Sequence, residues 1–342
     1  MTPSQKRNLS VAAAGVGAFF LARAVRRRTS YDFGGKSVVI TGGSRGLGLV
    51  LARQLADQGA RLTLVARSEE ELSRAVDDIR TRQPFAEILV VPADVRRRYD
   101  AERTIAEARE RFGGIDVLIN NAGIIQVGPV AHMKLADYQD AMETHFWGPL
   151  YTTLAVLPHM RDQGEGRIVN ISSIGGRIGV PHLVPYSASK FALAGLSDSL
   201  RYELARHRIL VTTVFPGLMR TGSPLNATFK GRHPEEFAWF AISDSLPLAT
   251  IDAERAAYQI LEACRRGDAE LVITLQAKLA ILARTMAPEL FAKAMTFING
   301  LLPPSTGVEG DRLKLGRNSQ SAWAPSSLTT RTYRAAIENN EM

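Results

Sequence analysis

Three side chains near the middle of the chain could act together on one oxygen atom: Ser173, then Tyr186 thirteen residues on, then Lys190. Tyr186 and Lys190 are four apart at the start of a stretch with helical spacing, so they share a helix face. A phenol of pKa ~10 is a poor proton donor or acceptor at neutral pH. A neighbouring ammonium favours its ionised form and moves it toward the working range. Taken alone, a Tyr and a Lys at this spacing read as packing on a surface helix. Ser173 changes the balance, because it follows an apolar strand-like run at the edge where ligands of open α/β sheets collect. Together the trio suits proton transfer to or from an oxygen whose charge a hydroxyl stabilises.

A second signal is the loop TGGSRGLG, Thr41 to Gly48, between the apolar run 37–40 and a helix-like run 47–55. Glycine clusters also serve ordinary tight turns. Between a strand and a helix, however, such a loop presents backbone N–H groups and the positive end of a helix dipole to a pyrophosphate.

The elements that must position these residues follow from periodicity. Short β-branched runs at 37–40, 61–66, 87–91, 115–120, 167–172, 209–215 and 270–274 alternate with helical patterns at 47–58, 68–82, 98–112, 134–160, 187–206 and 252–265. Runs apolar almost throughout suit strands buried on both faces, and strand–helix alternation implies a parallel sheet with helices on both sides. The expectation is a doubly wound, seven-stranded, Rossmann-type α/β domain over 35–275. It is flanked by a basic and apolar segment 1–34 and by a C-terminal extension 276–342, an apolar-striped helix followed by a polar tail.

Composition sets outer limits. With 342 residues, 45% hydrophobic and 22% charged, the chain reads as globular. The lone cysteine, Cys264, rules out an internal disulfide framework or a multi-cysteine metal site and favours a reducing, cytoplasmic setting. No metal is assigned, since His132, His159, His207 and His233 lack ligand spacing. Most of the net charge of +8 comes from Lys6, Arg7, Arg23, Arg26, Arg27 and Arg28, with no acidic residue in the first thirty. Charge that local does not describe a nucleic-acid groove. These residues flank the fourteen-residue apolar run Leu9 to Ala22. It is short for a span, and triple arginine stands where a signal cleavage site would be. Two readings remain: a membrane-associating or signal-anchor helix over 9–28, whose C-terminal arginines keep the rest cytoplasmic, or a terminal helix without a membrane role.

These motifs together resemble those of the short-chain dehydrogenase/reductase family over roughly 35–275. Thr41 to Gly48 is similar to its Thr-Gly-x-x-x-Gly-x-Gly loop, Asp94-Val95 to its adenine-contacting pair, and Asn120-Asn121-Ala122-Gly123 to its Asn-Asn-Ala-Gly. Ser173 with Tyr186-Ser-Ala-Ser-Lys190 resembles its catalytic set, and Pro216-Gly217 with Thr221 its turn after the sixth strand. The resemblance implies hydride transfer between a nicotinamide and a carbonyl or alcohol carbon. Tyr186 would exchange the proton, Ser173 hold the oxygen, and Lys190 hold the ribose while lowering the Tyr186 pKa. It also implies cofactor contacts from Thr41, Gly42, Ser44, Arg45, Gly46, Leu47, Gly48, Arg67, Asp94, Val95, Asn121, Ala122, Gly123, Tyr186, Lys190, Pro216, Gly217 and Thr221. After the second strand, where an NAD enzyme offers a carboxylate, this chain has Ala66-Arg67, and Arg45 lies within the loop. Two guanidinium groups fit a 2′-phosphate, so NADP(H) is expected.

One position departs from the pattern: His145, in Met142-Glu-Thr-His-Phe-Trp-Gly148, stands where the family has the asparagine of its catalytic tetrad. Imidazole is larger and titrates near neutrality, so the relay is either preserved through the backbone or altered. That keeps a second function class open, a nucleotide-binding sensor or scaffold with little turnover. His182, between Ser173 and Tyr186, reads as a substrate contact or a solvated loop residue. The region 218–246, with Phe229, Phe237, Trp239 and Phe240, takes the place of the family's substrate lid; its aromatics suggest a lipophilic substrate or ordinary packing. The apolar stripe of 276–302 fits a core-docked face, a cover for the substrate entrance, a partner subunit or a membrane surface. Beyond Pro303-Pro304 the tail reads as polar and mobile, with 330–341 able to dock as a short helix. Assembly as a homodimer or homotetramer through helices 134–160 and 187–206 is implied by the resemblance alone.

Overall fold

A computed structural model describes residues 31–245, 250–321, 323–326 and 329–342. The apolar run 9–22 and its arginines lie outside the described residues. No described helix is long and apolar enough to cross a membrane.

Seven parallel strands form one sheet: β1 (Ser37–Thr41), β2 (Arg61–Ala66), β3 (Ile88–Pro92), β4 (Val117–Asn120), β5 (Gly166–Ile171), β6 (Ile209–Phe215) and β7 (Glu270–Val272). Their spatial order is β7-β6-β5-β4-β1-β2-β3, so the order reverses beside β1. Because all neighbours are parallel, Thr41, Asn120, Ile171 and Phe215 end at the same edge of the sheet. Loops leaving that edge at the reversal diverge and leave a crevice.

Helices cover both faces. They are α1 (Gly46–Ala56), α2 (Glu69–Arg82), α3 (Arg98–Phe112), α4 (Leu135–Met142), α5 (Gly148–Gln163), α6 (Val184–Leu204), α7 (His233–Ser245) and α8 (Ala253–Arg266). Local chemistry sets several boundaries. Ser68 caps α2 by accepting from the Glu71 amide, with Glu69, Glu70 and Glu71 in the first turn, and Gly113 closes α3 in the left-handed region. Between the sheet and α3 and α5, the fully buried Val39, Leu118, Val156, Met160, Ile168 and Val211 form one core cluster.

Two departures from periodicity matter for the site. The expected helix 134–160 is not continuous: a π-helical turn, Glu143–Trp147, separates α4 from α5. Such a turn re-aims the side chains it carries, a device common at functional sites. The second concerns the C-terminus. α9 (Leu275–Met286) and α10 (Pro288–Leu301) leave most of their apolar residues in solvent, Leu279, Met286, Leu290 and Phe297 among them, so the stripe is not docked on the core. The polar tail is anchored in turn: Lys314–Leu315 pairs antiparallel with Thr228–Phe229, and α11 (Thr330–Glu338) packs against α7. Residues 33–342 form a single compact unit.

Candidate active site

Ser173 leaves the end of β5 in an extended conformation, and its Oγ accepts from the Gly175 amide at 3.0 Å. Tyr186 and Lys190 lie on the first turns of α6, whose start carries Pro185 as a favourable early residue. The Tyr186 ring and Ser173 Oγ both flank Gly175: a Cβ there would stand 3.2 Å from the ring and 3.5 Å from Oγ, so the bare glycine leaves room for the two to approach. The Lys190 ammonium donates to the Ile171 carbonyl at 2.9 Å and lies 5.7 Å from the centre of the Tyr186 ring. The spacing argument therefore holds in space: hydroxyl, phenol and amine meet at the C-terminal edge of β5.

The electrostatics differ from the sequence expectation in one respect. Burial pushes the Tyr186 phenol above its ordinary value, with only the Ser173 hydrogen bond acting downward. Burial also brings Lys190 down to about 7. Desolvation outweighs the expected pull of a cation on the phenol, because the amine is itself only partly charged near neutrality.

His145 is 1% exposed and projects from the π turn into this cluster. Its Nε2 accepts from the Ile124 amide at 3.1 Å, and since an amide N–H can only donate, the ring proton must sit on Nδ1. Nδ1 then donates to Ser189 Oγ at 2.8 Å, and Ser189 donates to the Tyr186 carbonyl at 2.8 Å. The imidazole also meets the Tyr186 ring edge-to-face with centroids 5.4 Å apart. Burial, followed by the nearby Lys190, holds its pKa well below the usual histidine value. His145 is therefore a neutral strut between the loop after β4 and the Tyr186 turn, not a residue titrating near pH 7. A Cβ on Gly123 would lie 3.2 Å from His145 Nε2, so a side chain there would crowd the imidazole.

The glycine-rich loop is stapled to the loop after β4. Thr41 Oγ1 accepts from the amides of Asn121 and Ala122 at 3.0 and 3.1 Å, and Asn121 Nδ2 donates to the carbonyls of Thr41 and Gly42, both at 3.1 Å. Thr41 and the Asn121 side chain thus brace the loop. Two glycines have no substitute: a Cβ on Gly48 would stand 2.0 Å from the Gly42 carbonyl oxygen, and Gly42 itself has φ +64° with Ala122 Cα 2.9 Å from its Cβ position. This closeness brings the N-terminus of α1 to the cavity surface, where Ser44, Arg45, Gly46 and Leu47 line it. The cradle fits a pyrophosphate by the chemistry of its donors.

At the far end of the cradle, Arg67 is solvent-exposed and lines the cavity. Arg45 is paired with Glu71 at 2.9 Å, and Ser44 also donates to Glu71 at 3.1 Å. The second guanidinium of the expected pair therefore carries a carboxylate partner that its neighbours in sequence did not reveal. Asp94 lines the cavity beside Val95, and its carboxylate holds Arg96 through contacts of 2.6–3.0 Å. Against the upward push of burial, Arg96 keeps that carboxyl below its usual range. Pro216, Gly217 and Thr221 line the opposite wall.

The expected site residues face one cavity of about 1040 Å³ except Thr41 and Gly48, which brace the loop from behind, and Ser189 lies behind the wall as well. Its substrate end is walled by Ile178, Val180, Leu183, Trp239, Phe240 and Met295. Of the lid aromatics, Phe229 and Phe237 are fully buried and pack edge-to-face at 5.5 Å, so they hold the lid together, while Trp239 and Phe240 reach the cavity. His182 is neither solvated nor among the lining residues. It is 7% exposed at φ +60°, with Nδ1 3.0 Å from Glu236, which also accepts from Trp239 Nε1 at 2.7 Å. That cluster ties the Ser173–Tyr186 segment to the lid helix.

Several site residues escaped sequence reading. Ser189 lies inside the Tyr-x-x-x-Lys motif, yet nothing local marks it as the partner of His145. Glu71, Asp244 and Glu341 also line the cavity; Glu341 is almost three hundred residues from the loop it touches.

A parallel sheet of this order, with a phosphate-type loop after β1 and a hydroxyl, phenol and amine at the same edge, is the architecture of the dinucleotide-binding α/β oxidoreductases. Residues 36–228 match the family described as short chain dehydrogenase. "Dehydrogenase/reductase SDR family member 7B" of Danio rerio is 32% identical over 293 residues, 83% of this chain and 93% of that protein. "Putative oxidoreductase SadH" of Mycobacterium tuberculosis is 37% identical over 263 residues, 75% of this chain and 92% of that protein. The crystal structure of L-sorbose reductase from Gluconobacter frateurii, complexed with NADPH and L-sorbose, superposes with a TM-score of 0.63 at 25% identity, over 71% of this chain and 97% of that one. The chain belongs to the short-chain dehydrogenase family, and it is accordingly an oxidoreductase of alcohol or carbonyl groups that uses a nicotinamide cofactor.

Proposed function

We propose that this chain transfers hydride between NADP(H) and a carbonyl or secondary alcohol of a lipophilic small molecule by a Ser-Tyr-Lys mechanism. The observation that carries the reading is that Ser173, Tyr186 and Lys190 line one cavity, with the Lys190 ammonium 5.7 Å from the centre of the Tyr186 ring and the glycine cradle opening into the same space. When bound, the dinucleotide supplies or accepts the hydride. In the reductive direction Tyr186 gives its proton to the substrate oxygen, and Ser173 donates a hydrogen bond to that oxygen as negative charge develops. Lys190 is the residue that would hold the nicotinamide ribose, and the N-terminus of α1 the pyrophosphate. The apolar substrate end, with Trp239 and Phe240, supports a lipophilic substrate.

Arg67 and Arg45 support the preference for a 2′-phosphate, as does the NADPH in the related L-sorbose reductase structure. Exposed Leu154 on α5 and exposed Tyr202 and Phe191 on α6 support assembly through those helices. Tyr186→Phe tests the mechanism: turnover of ketone or aldehyde panels should vanish while the dissociation constant for NADPH stays within about threefold, and undiminished turnover would remove the assignment.

A further inference from the structure

The last residues of the chain lie on the glycine cradle. The Asn339 carbonyl accepts the Gly46 amide at 2.9 Å, taking a donor at the start of α1 that a phosphate would use. Asn340 donates to the carbonyls of Ser44 at 2.8 Å and Glu71 at 3.1 Å, and the buried Arg53 holds both Asn339 and the Glu338 carbonyl. Asn226 donates to the Glu341 carbonyl at 2.9 Å. These contacts deliver the Glu341 side chain, 7% exposed, to the cavity wall. One carboxylate oxygen comes within 2.6 Å of where a Cβ on Gly46 would stand, and the other within 2.5 Å of the same point on Gly222. The group therefore sits between the N-terminus of α1 and the Thr221–Gly222 turn, the two elements expected to flank a bound pyrophosphate.

Its surroundings are those of a group held in place by the tail and not by its own bonds. Glu341 Oε2 has no hydrogen-bond partner among the described residues. Burial pushes the carboxyl well above its usual range; Arg45 opposes this, while Asp244 and Glu71 add to it. Asp244 is itself raised to about 8 by burial. A dinucleotide pyrophosphate would need the Gly46 amide that the Asn339 carbonyl already takes, and would bring negative charge beside the Glu341 carboxyl, so tail and pyrophosphate exclude each other.

We propose that Glu341 is a residue of the dinucleotide site: the C-terminal segment is the chain's own occupant of the phosphate cradle, and the cofactor binds by displacing it. This rests on the reading of the cavity as an NADP(H) site. Affinity for the cofactor is then lowered by the fraction of molecules in which the tail is seated. Release of the tail also removes the Asn340 bond to the Ser44 carbonyl, while Arg45 and the Ser44 hydroxyl keep their contacts with Glu71.

The test compares the parent chain with Asn340→Ala, which removes the bonds to the Ser44 and Glu71 carbonyls, and with Asn339→Ala, which removes the side-chain bond to Arg53. NADPH affinity is measured by titration calorimetry, and hydrogen exchange of 330–342 is followed with and without NADPH. Under the proposal Asn340→Ala binds NADPH about tenfold or more tightly than the parent, Asn339→Ala lies between the two, and NADPH strips protection from the amides of Asn339 to Glu341 in the parent. Unchanged or weaker binding by Asn340→Ala, or a tail that gains protection with NADPH, would overturn it and make the tail a supporting wall. Absence of NADPH binding by parent and both variants alike would instead overturn the cofactor reading itself, and the proposal with it.

Discussion

Replacing His145 tests whether a histidine can occupy the asparagine position as a neutral strut. His145→Ala leaves the Ile124 amide without its acceptor and removes the donor to Ser189. An orphaned buried group costs about 1–3 kcal/mol, and Ser189 falls at the low end because it keeps its bond to the Tyr186 carbonyl. The lost ring contact with Tyr186 adds a cavity, for a total of roughly 3–5 kcal/mol. Asparagine is shorter and can satisfy only one of the two partners, so His145→Asn should cost roughly 1–2 kcal/mol. Urea unfolding measures both.

For catalysis, loosening the turn that carries Tyr186 should lower kcat about tenfold or more, with NADPH affinity nearly constant. Paired with Ser189→Ala, the double-mutant cycle should show coupling of about 1 kcal/mol, since the two act in one chain of hydrogen bonds. The pH behaviour provides a separate readout. A histidine depressed below its ordinary value binds fewer protons folded than unfolded, so its contribution is intact above about pH 6.5 and erodes on acidification. The parent's kcat/KM should therefore carry no inflection near pH 6.5 attributable to this imidazole. Additive mutant energies, or an inflection near pH 6.5 that disappears in His145→Asn, would refute the strut.

Lys190, held down to about 7, binds fewer protons folded than unfolded between about pH 7 and 10.5, so stability should rise with pH across that window. Lys190→Met should flatten the rise in the urea midpoint, and an equal slope in parent and variant would reject the buried amine. Asp244, raised to about 8, has the opposite sign: its contribution is full below about pH 4 and lost as pH climbs through 8. Asp244→Asn should accordingly raise the melting temperature at pH 8.5 more than at pH 5, and a uniform change would count against the shift. Arg67→Glu should weaken NADPH at least tenfold while leaving NADH within about threefold; equal losses for both cofactors would remove Arg67 from 2′-phosphate recognition.

Much of this protein is written in short-range pattern. Buried parallel strands must be apolar on both faces, so SVVI at 37–40 and ILVTTVF at 209–215 announce themselves, and helical spacing between them leaves a doubly wound sheet as the natural packing. The glycine loop is legible for a similar reason: Gly48 touches Gly42, six residues away, so the constraint stays within one motif. The Tyr186–Lys190 pair is legible because a helix puts residues four apart on one face.

What the tertiary structure alone decided depends on contacts between distant segments. The state of His145 follows from the Ile124 amide and Ser189 hydroxyl, brought together by a π turn that periodicity reads as continuous helix. The Arg45–Glu71 pair joins the glycine loop to the first turn of α2. Trp239 faces the cavity while Phe237, two residues earlier, is interior, because the rotation of α7 is fixed by packing on Phe229 and by the His182–Glu236 contact. The seat of Glu341 is the extreme case: the pattern of 330–341 allows a short docked helix but not its place, and only the closed fold brings the Glu341 carboxylate to the first turn of α1. Local spacing fixes which atoms can act, and desolvation and long-range contact fix their charge and their partners.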